Sequence, residues 1–343
     1  MNAMVIRRHG GPEVLAWAEI PAPTPGPGEA IIAVKACGVN HLDIWTRLGM
    51  PGTAIPMPHV LGCDVAGTIH ALGPGAAPWQ TGQSVVVAPG ISCGICPECR
   101  AGRDSRCAKF QILGFQMDGG YAQFVKVPVR NLVAITTDRW DYAQWAATPL
   151  VFLTAWHMLM TRGQLQPGET VLIHAAGSGV GSAAIQIAKW RGATVLTTVG
   201  DPAKGAKATA LGADQVIQYK TEDFTTAALA LTRDRGVDLV LEHIGPATWA
   251  GSLRTLARGG RLVTCGATSG QDVTMSLRVL FVKELSILGC YMGGRREVDD
   301  VLALVAQGTL KPVVDTVFPL REAAAAHARM ESRQQFGKLV LTP

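Results

Sequence analysis

Hydrophobic and polar positions follow two textures along the chain. Over roughly the first 145 residues, short apolar runs are broken by Pro/Gly turns. Ala30–Ala36 (AIIAVKA), Ser84–Ala88 (SVVVA) and Tyr121–Val127 (YAQFVKV) predict strands. Residues 21–28, PAPTPGPG, predict a loop, because proline removes ladder donors and breaks helices. This part predicts an irregular all-β domain. The texture changes near Asp141. Asp141–Thr161 is helical in composition, and Pro167–Gly168 punctuates its end. Strands are then predicted at Thr170–Ala175, Thr194–Val199, Gln215–Gln218, Val237–His243 and Arg261–Cys265. Helices between them are predicted near Gly179–Arg191, Pro202–Leu211, Asp223–Thr232 and Ala247–Ala257. Such alternation predicts an α/β doubly wound parallel sheet. Beyond about residue 285 the β-rich pattern returns, with one helix near Arg321–Ser332. The expected organisation is a discontinuous β-rich domain of residues 1–145 plus 285–343, with the α/β domain of residues 146–284 inserted in it.

The 343 residues, 36.2 kDa, exceed one core and suit two domains. Apolar residues are 48% and charged residues 17%, against roughly 25% charged in ordinary soluble domains. Ample apolar surface argues against disorder. The 39 glycines and 20 prolines are scattered, which excludes collagen and low-complexity linkers. No apolar run approaches the ~20 residues that span a bilayer, and Met1–Gly10 lacks a secretory apolar segment. A cytoplasmic protein with no membrane partner is expected. The net charge of +5 is dispersed, so no nucleic-acid partner is expected. Tryptophans 140, 145, 156, 190 and 249 are expected on helical faces in the core.

Four of the eight cysteines, Cys93, Cys96, Cys99 and Cys107, are closely spaced around Gly94 and Pro97. Four thiolates must converge at about 2.3 Å from a tetrahedral zinc, which short turns permit. One structural zinc per chain is expected, its shell closed to substrate. Four free thiols and an iron–sulfur cluster are the rival readings. Cys37, Cys63, Cys265 and Cys290 are widely spread, and a disulfide framework is not expected in a reducing compartment.

His174-Ala-Ala-Gly177-Ser178-Gly179-Val180-Gly181-Ser182 joins an apolar strand to a helix whose Val180, Ala183, Ala184, Ile187 and Ala188 share one face. Glycines there let a pyrophosphate approach the amides at the helix start. Gly177, Ser178, Gly179, Val180 and Gly181 are therefore the expected cofactor-binding residues. Cofactor choice rests on the end of the next strand, Thr198-Val199-Gly200. A carboxylate at that place would bind the free ribose of NAD. Gly200 leaves room for a 2′-phosphate, and Lys204 is placed to pair with it. Asp201, before Pro202, reads as a helix cap. NADP is therefore expected over NAD.

The cysteine lobe, HAAGSGVGSAAIQIAK at 174–189, GVNHLD at 38–43 and LGCDVAG at 61–67 resemble the medium-chain dehydrogenase/reductase superfamily over essentially the whole chain. That resemblance implies a GroES-like β domain built from both chain ends and a Rossmann domain between them. It also implies a small-molecule substrate, a homodimer or homotetramer, and an active site in the interdomain cleft. Zinc alcohol dehydrogenases carry a cysteine ligand at the place of Asn40, and a histidine and a glutamate at those of Cys63 and Asp64. Their third protein ligand falls at about Leu150, and their relay hydroxyl and histidine at Leu42 and Trp45. By resemblance, Gly-Val-Asn40-x-x-Asp43, Gly-x-Asp64-x-Ala-Gly and Gly200 with Lys204 look like the quinone oxidoreductase branch. In that branch Lys204, Tyr219 and Arg333 surround the 2′-phosphate. The four-cysteine lobe departs from that branch.

The expected function is hydride transfer from NADPH to a quinone or an activated alkene or carbonyl. Asn40 and Thr154 are expected to orient substrate or nicotinamide, and Asp43 to brace the site. One alternative is a zinc-dependent alcohol dehydrogenase with an atypical ligand set drawn from Cys37, His41, His59, Cys63 and Asp64. Another is a nucleotide-binding protein without turnover.

Overall fold

A short ribbon comes first in the computed structural model, which describes residues 1–50 and 52–343. β1 (Asn2–Ile6) pairs antiparallel with β2 (Ala16–Glu19). Residues 21–28 form no helix or strand, as expected. β3 (Glu29–Gly38) contains the predicted 30–36 run, and α1 (His41–Leu48) follows it. β4 (His59–Val60), β5 (Asp64–Leu72), β6 (Ser84–Val87) and β7 (Gly90–Ile91) come next. The cysteine segment carries α2 (Pro97–Arg100) and leads to β8 (Gln111–Ile112). β9 (Phe124–Pro128), β10 (Leu132–Ala134) and α3 (Tyr142–Ala146) complete this stretch.

α4 (Pro149–Trp156) continues into a π-helical turn at His157–Arg162. The alternation then runs β11 (Thr170–Ile173), α5 (Gly179–Trp190), β12 (Thr194–Val199), α6 (Pro202–Ala210) and β13 (Gln215–Gln218). It goes on through α7 (Phe224–Leu231), β14 (Val237–Glu242), α8 (Pro246–Thr255) and β15 (Leu256–Thr264). α9 (Leu277–Val282), β16 (Ser286–Gly289), α10 (Arg295–Gln307), β17 (Val314–Pro319), α11 (Ala323–Glu331) and β18 (Lys338–Thr342) follow.

Two units account for these elements. The first holds Met1–Leu150, Gly294–Gly308 and Pro312–Pro343; the second holds Val151–Gly293 and Thr309–Lys311. In the first, strands order as β10-β6-β5-β3-β18-β17, and β9 also pairs with β3. β18 lies antiparallel to β3, with Leu341 opposite Cys37. Strand alternation puts Ile32, Val65, Val86 and Val340 in its core.

The second unit holds a wholly parallel sheet, ordered β13-β12-β11-β14-β15-β16. Its central strands β11, β12 and β14 are buried along nearly their whole length, as strands covered on both faces are. Leu172, Leu196, Val240 and Leu262 pack with Ile217, Leu253 and Leu256 from neighbouring elements. Strand order reverses between β11 and β14, the place where open parallel sheets bind ligands.

The structure departs from the sequence reading in several places, among them residues 146–150, which fall in the first unit, and 309–311, which fall in the second. Residues 285–293 fall in the second unit, because Ser286–Gly289 pairs in parallel with β15. A second late helix, α10, buries Val298, Val301, Leu302 and Val305 on one face. α5 is buried at every position from Gly181 to Ala188 rather than on one face. Its Gln186 amide is satisfied by the main chain of Lys311. Of the tryptophans, Trp145 and Trp249 are core residues, but Trp190 is 44% exposed. Trp140 lies outside any helix and donates to Val305 O at 2.8 Å.

Candidate functional site

In the first unit the GVNHLD and LGCDVAG segments bring a polar cluster into the core. Asn40, at the start of α1, is buried, as are Asp43, Asp64 and Lys338. The Lys338 ammonium donates to Asn40 Oδ1 at 2.6 Å, Asp64 Oδ2 at 2.9 Å and Val39 O at 2.8 Å. Asn40 Nδ2 donates to Asp64 Oδ2 at 2.8 Å and lies 3.4 Å from Cys63 Sγ. Asp64 Oδ1 accepts from the Leu150 amide at 2.8 Å. Both polar atoms of the Asn40 side chain are thus committed inside the protein. That favours bracing over the orienting contact expected of it. Burial, and secondarily the Asp43 and Asp64 carboxylates, push the Cys37 thiol well above its ordinary value. Cys63 is pushed up chiefly by burial too.

Asp43 accepts from Asn40 N at 2.7 Å, Gly62 N at 3.1 Å and the Tyr121 hydroxyl at 3.2 Å. It thereby ties the start of α1 to the Gly62 turn. Gly62 has φ +98°, and a side chain there would strike the Tyr121 ring and Cys37. Burial pushes the Asp43 carboxyl up to about 6, against the opposing pull of its donors and Lys338. Behind Tyr121 lies His327, Nε2 to Oη 3.1 Å, and behind that Arg47, Nη1 to Nδ1 3.2 Å. A guanidinium can only donate, so His327 Nδ1 accepts and its Nε2–H donates to Tyr121. Burial and then Arg47 lower the His327 pKa to about 3, consistent with a neutral ring. Arg47 also meets Glu331 at 2.5 Å. Sequence reasoning missed Tyr121, His327, Arg47 and Lys338. A lysine opening the apolar strand KLVLT was the one visible signal.

The cysteine lobe converges. The four Sγ atoms of Cys93, Cys96, Cys99 and Cys107 lie within 4.8 Å of one another. Cys96 and Cys99 are 3.5 Å apart, and Cys93 and Cys99 3.9 Å. A tetrahedron with 2.3 Å Zn–S bonds has edges of about 3.8 Å, so the donor set fits a thiolate-bound metal. Ser92 and Asp104 support the lobe: Ser92 Oγ donates to Asp104 at 2.6 Å and accepts from Arg130 at 2.8 Å. Among the described residues this is the one converging group of three or more metal-capable side chains. Cys37, His41, His59, Cys63 and Asp64 form no such group among the described residues. His59 is buried and makes a 3.1 Å hydrogen bond to Gly114 O.

In the second unit the glycine turn stands where the sequence placed it, between β11 and α5. Ser178 caps the helix, its Oγ accepting from Gly181 N at 2.8 Å. The first amides of a helix have no intrahelical acceptor, and its dipole favours an anion there. A Cβ on Gly181 would strike the Ala175 carbonyl. Hence only glycine lets helix and turn approach this closely, and the backbone there fits a pyrophosphate. Val180 and the residues Gly177 to Gly179 complete the turn and the helix start.

At the end of β12, a side chain on Gly200 would meet the Tyr219 hydroxyl. Tyr219 is 47% exposed beside it. Asp201 caps α6, with Oδ1 accepting from Ala203 N at 2.8 Å. Lys204 follows in the first turn of α6. Arg333 belongs to the first unit and has a left-handed backbone, φ +56°. Thr154 is buried in α4 in the second unit, whereas Asn40 and Asp43 lie in the first.

Comparison with known proteins adds the following. Residues 26–137 match the alcohol dehydrogenase GroES-like domain, and residues 179–307 the zinc-binding dehydrogenase domain. A 2-haloacrylate reductase of Burkholderia sp is 33% identical, covering 99% of this chain and 98% of its own. Quinone oxidoreductase 1 of Escherichia coli (strain K12) is 31% identical, with 98% of each covered. A crystal structure of an NAD-dependent alcohol dehydrogenase superposes with a TM-score of 0.97 at 43% identity, covering 100% of both chains.

Proposed function

Since the chain belongs to the medium-chain dehydrogenase/reductase superfamily and is an NAD(P)-dependent oxidoreductase, we propose that it reduces a quinone or an activated alkene or carbonyl with NADPH. The observation that carries this reading is the Lys338 ammonium between Asn40 and Asp64. By resemblance Asn40 and Asp64 stand where zinc alcohol dehydrogenases carry a cysteine ligand and a glutamate, and here an amide, a carboxylate and the Lys338 ammonium satisfy one another. An acceptor that is already electron-poor needs no Lewis acid, and the enzyme's work is positioning in a water-poor site. The 2-haloacrylate and quinone reductases among its relatives act on acceptors of that kind.

NADPH, when bound, supplies the hydride. Gly177, Ser178, Gly179, Val180 and Gly181 hold its pyrophosphate, and Gly200, Lys204, Tyr219 and Arg333 its 2′-phosphate. The cap made by Asp201 supports NADP, because that carboxylate is turned to its own helix. NAD remains the competing cofactor, the one named for the 43% identical alcohol dehydrogenase. Asn40 and Asp43 brace the site, and Thr154 orients substrate or nicotinamide. Cys93, Cys96, Cys99 and Cys107 hold one zinc that fixes their lobe.

No helix among the described residues is long and apolar enough to cross a membrane. Eight cysteines without a disulfide suit the cytoplasm. A homodimer or homotetramer is supported by β16, an edge strand, with exposed Leu277 and Phe281 on the α9 before it.

An NADPH-oxidation screen over quinones, 2-haloacrylates, enals and aldehydes, with zinc quantified in parallel, tests the reading. Turnover with a quinone or activated alkene at one zinc per chain is expected. Two zincs per chain with alcohol oxidation would establish the atypical alcohol dehydrogenase instead. Tight NADPH binding without turnover would leave a nucleotide-binding protein.

A further inference from the structure

A second buried polar group lies at the carboxyl end of the parallel sheet, behind the glycine turn. His174 follows β11, Thr198 lies on β12, Glu242 ends β14 and Ser252 lies on α8; all four are buried. Glu242 is held by four donors. Ile244 N and Gly245 N reach Oε1 at 2.7 and 3.1 Å, and the hydroxyls of Thr248 and Ser252 both reach Oε2 at 2.8 Å.

The hydrogens can be followed from there. Ser252 spends its proton on Glu242, so its oxygen accepts from His174 Nε2–H, at 2.9 Å. His174 Nδ1 is then bare, and it accepts from the Thr198 hydroxyl at 3.3 Å. Burial lowers the His174 pKa to about 4, consistent with a neutral ring. With its proton spent, the Thr198 oxygen is turned as an acceptor toward Ala175 N, 3.0 Å away. The Thr198 carbonyl takes the next amide, Ala176 N, at 3.0 Å, and His243 Nε2 holds the carbonyl of His174 at 2.9 Å.

The residue at the end of this chain is unusual. Ala175 has φ +53°, a left-handed conformation that L side chains seldom adopt. Its carbonyl is the atom against which Gly181 packs, and it accepts from Ser178 N at 2.9 Å. The height of the turn beneath the phosphates therefore depends on where Ala175 is held.

We infer that Thr198, His174, Ser252 and Glu242 form a positioning unit that holds Ala175 left-handed and so presets the turn for the pyrophosphate. The inference rests on the reading that the dinucleotide binds at residues 177–181. These four residues touch no phosphate themselves. They act through Ala175, so losing them should weaken cofactor binding and spare the chemical step.

The test uses the full chain, with NADPH titrated by fluorescence and steady-state rates measured beside it. Thr198→Val keeps the shape but removes the acceptor for Ala175 N. It should raise the NADPH Kd about tenfold, the scale of one lost hydrogen bond. At saturating NADPH, kcat should stay within about twofold, and Thr198→Ser should restore the affinity. Ser252→Ala cuts the chain at its far end and should raise the Kd by roughly threefold, which keeps the test alive if Thr198→Val does not fold. Lowered thermal stability with unchanged Kd in both variants would overturn the inference and leave these residues as mere packing. Gly181→Val separates the two levels. If it abolishes binding while Thr198→Val and Ser252→Ala bind normally, only the positioning unit fails. If Gly181→Val itself binds NADPH normally, the phosphates lie elsewhere and both readings fall.

Discussion

Lys338 reaches Asp64 from the far end of the sequence, its ammonium 2.9 Å from Oδ2 with both side chains buried. Removing one partner of such a pair strands the other charge out of water, at a cost of about 3–5 kcal/mol. Lys338→Met should therefore lower the unfolding free energy by about that much in urea titrations. Adding Asp64→Asn should recover part of the loss. A single variant as stable as wild type would mean that the pair carries no weight in the fold.

The cysteine lobe has little apolar content, so its order should depend on metal. Cys99→Ser should take the zinc content of purified protein toward zero. Because binding energy at a structural zinc is folding energy, thermal stability should fall with it. Undiminished zinc in that variant would refute the four-thiolate assignment.

The proposed preference for NADPH assigns its selective contact to Lys204. A charge-assisted hydrogen bond to the 2′-phosphate is worth roughly 1.5–3 kcal/mol. Wild type should then bind NADPH tighter than NADH by on the order of tenfold to a hundredfold, at ~1.4 kcal/mol per decade. Lys204→Ala should erase most of that ratio by weakening NADPH and leaving NADH nearly unchanged. Tighter NADH binding by the wild type would make Asp201 the ribose ligand, despite its cap on α6.

Asp43 should leave a signature in the pH dependence of stability. Its carboxyl titrates near 3.9 when unfolded and at about 6 in the fold, raised by burial. Between these values the native state holds the extra proton. The contribution of this group is therefore fully present below about pH 4 and is lost as the pH rises through about 6. The loss is on the order of 3 kcal/mol. Subtracting the stability curve of Asp43→Asn from that of wild type should reveal a decline over that window. A flat difference would show that the three donors to Asp43 offset its burial.

The parallel sheet was legible from the sequence because its central strands β11, β12 and β14 are buried along nearly their whole length. Thr194–Val199 and Gln215–Gln218 begin and end at the residues the pattern predicts. The edge strand Ser286–Gly289 was not, since two half-exposed residues between two exposed ones carry too little pattern to mark a strand. α10 was missed although its signs were present: Glu297 holding Gly294 N, the Val298-Val301-Leu302-Val305 stripe, and the left-handed Gly308 after it. The convergence of four cysteines followed from spacing alone. The polar chain Asp43–Tyr121–His327–Arg47 did not, because its members come from distant segments and only the fold makes them neighbours. For the same reason Asn40 looked available to a substrate until Lys338 arrived beside it.

The sheet of the first unit also has a history during synthesis. β3 emerges early, but its neighbour β18 is residues 338–342, and every strand of the parallel sheet is made between them. At about 5–20 residues per second, β3 waits roughly 15–60 seconds for that partner. Through this interval β9 can already pair with β3 at Glu29–Ala33, but Cys37 and Gly38 lack their partners on β18, and Asp64 waits without its lysine. The second unit can finish its sheet first. The first unit is thus the last to close, and until residue 338 is made its Cys37–Gly38 edge and the buried Asp64 lack their partners.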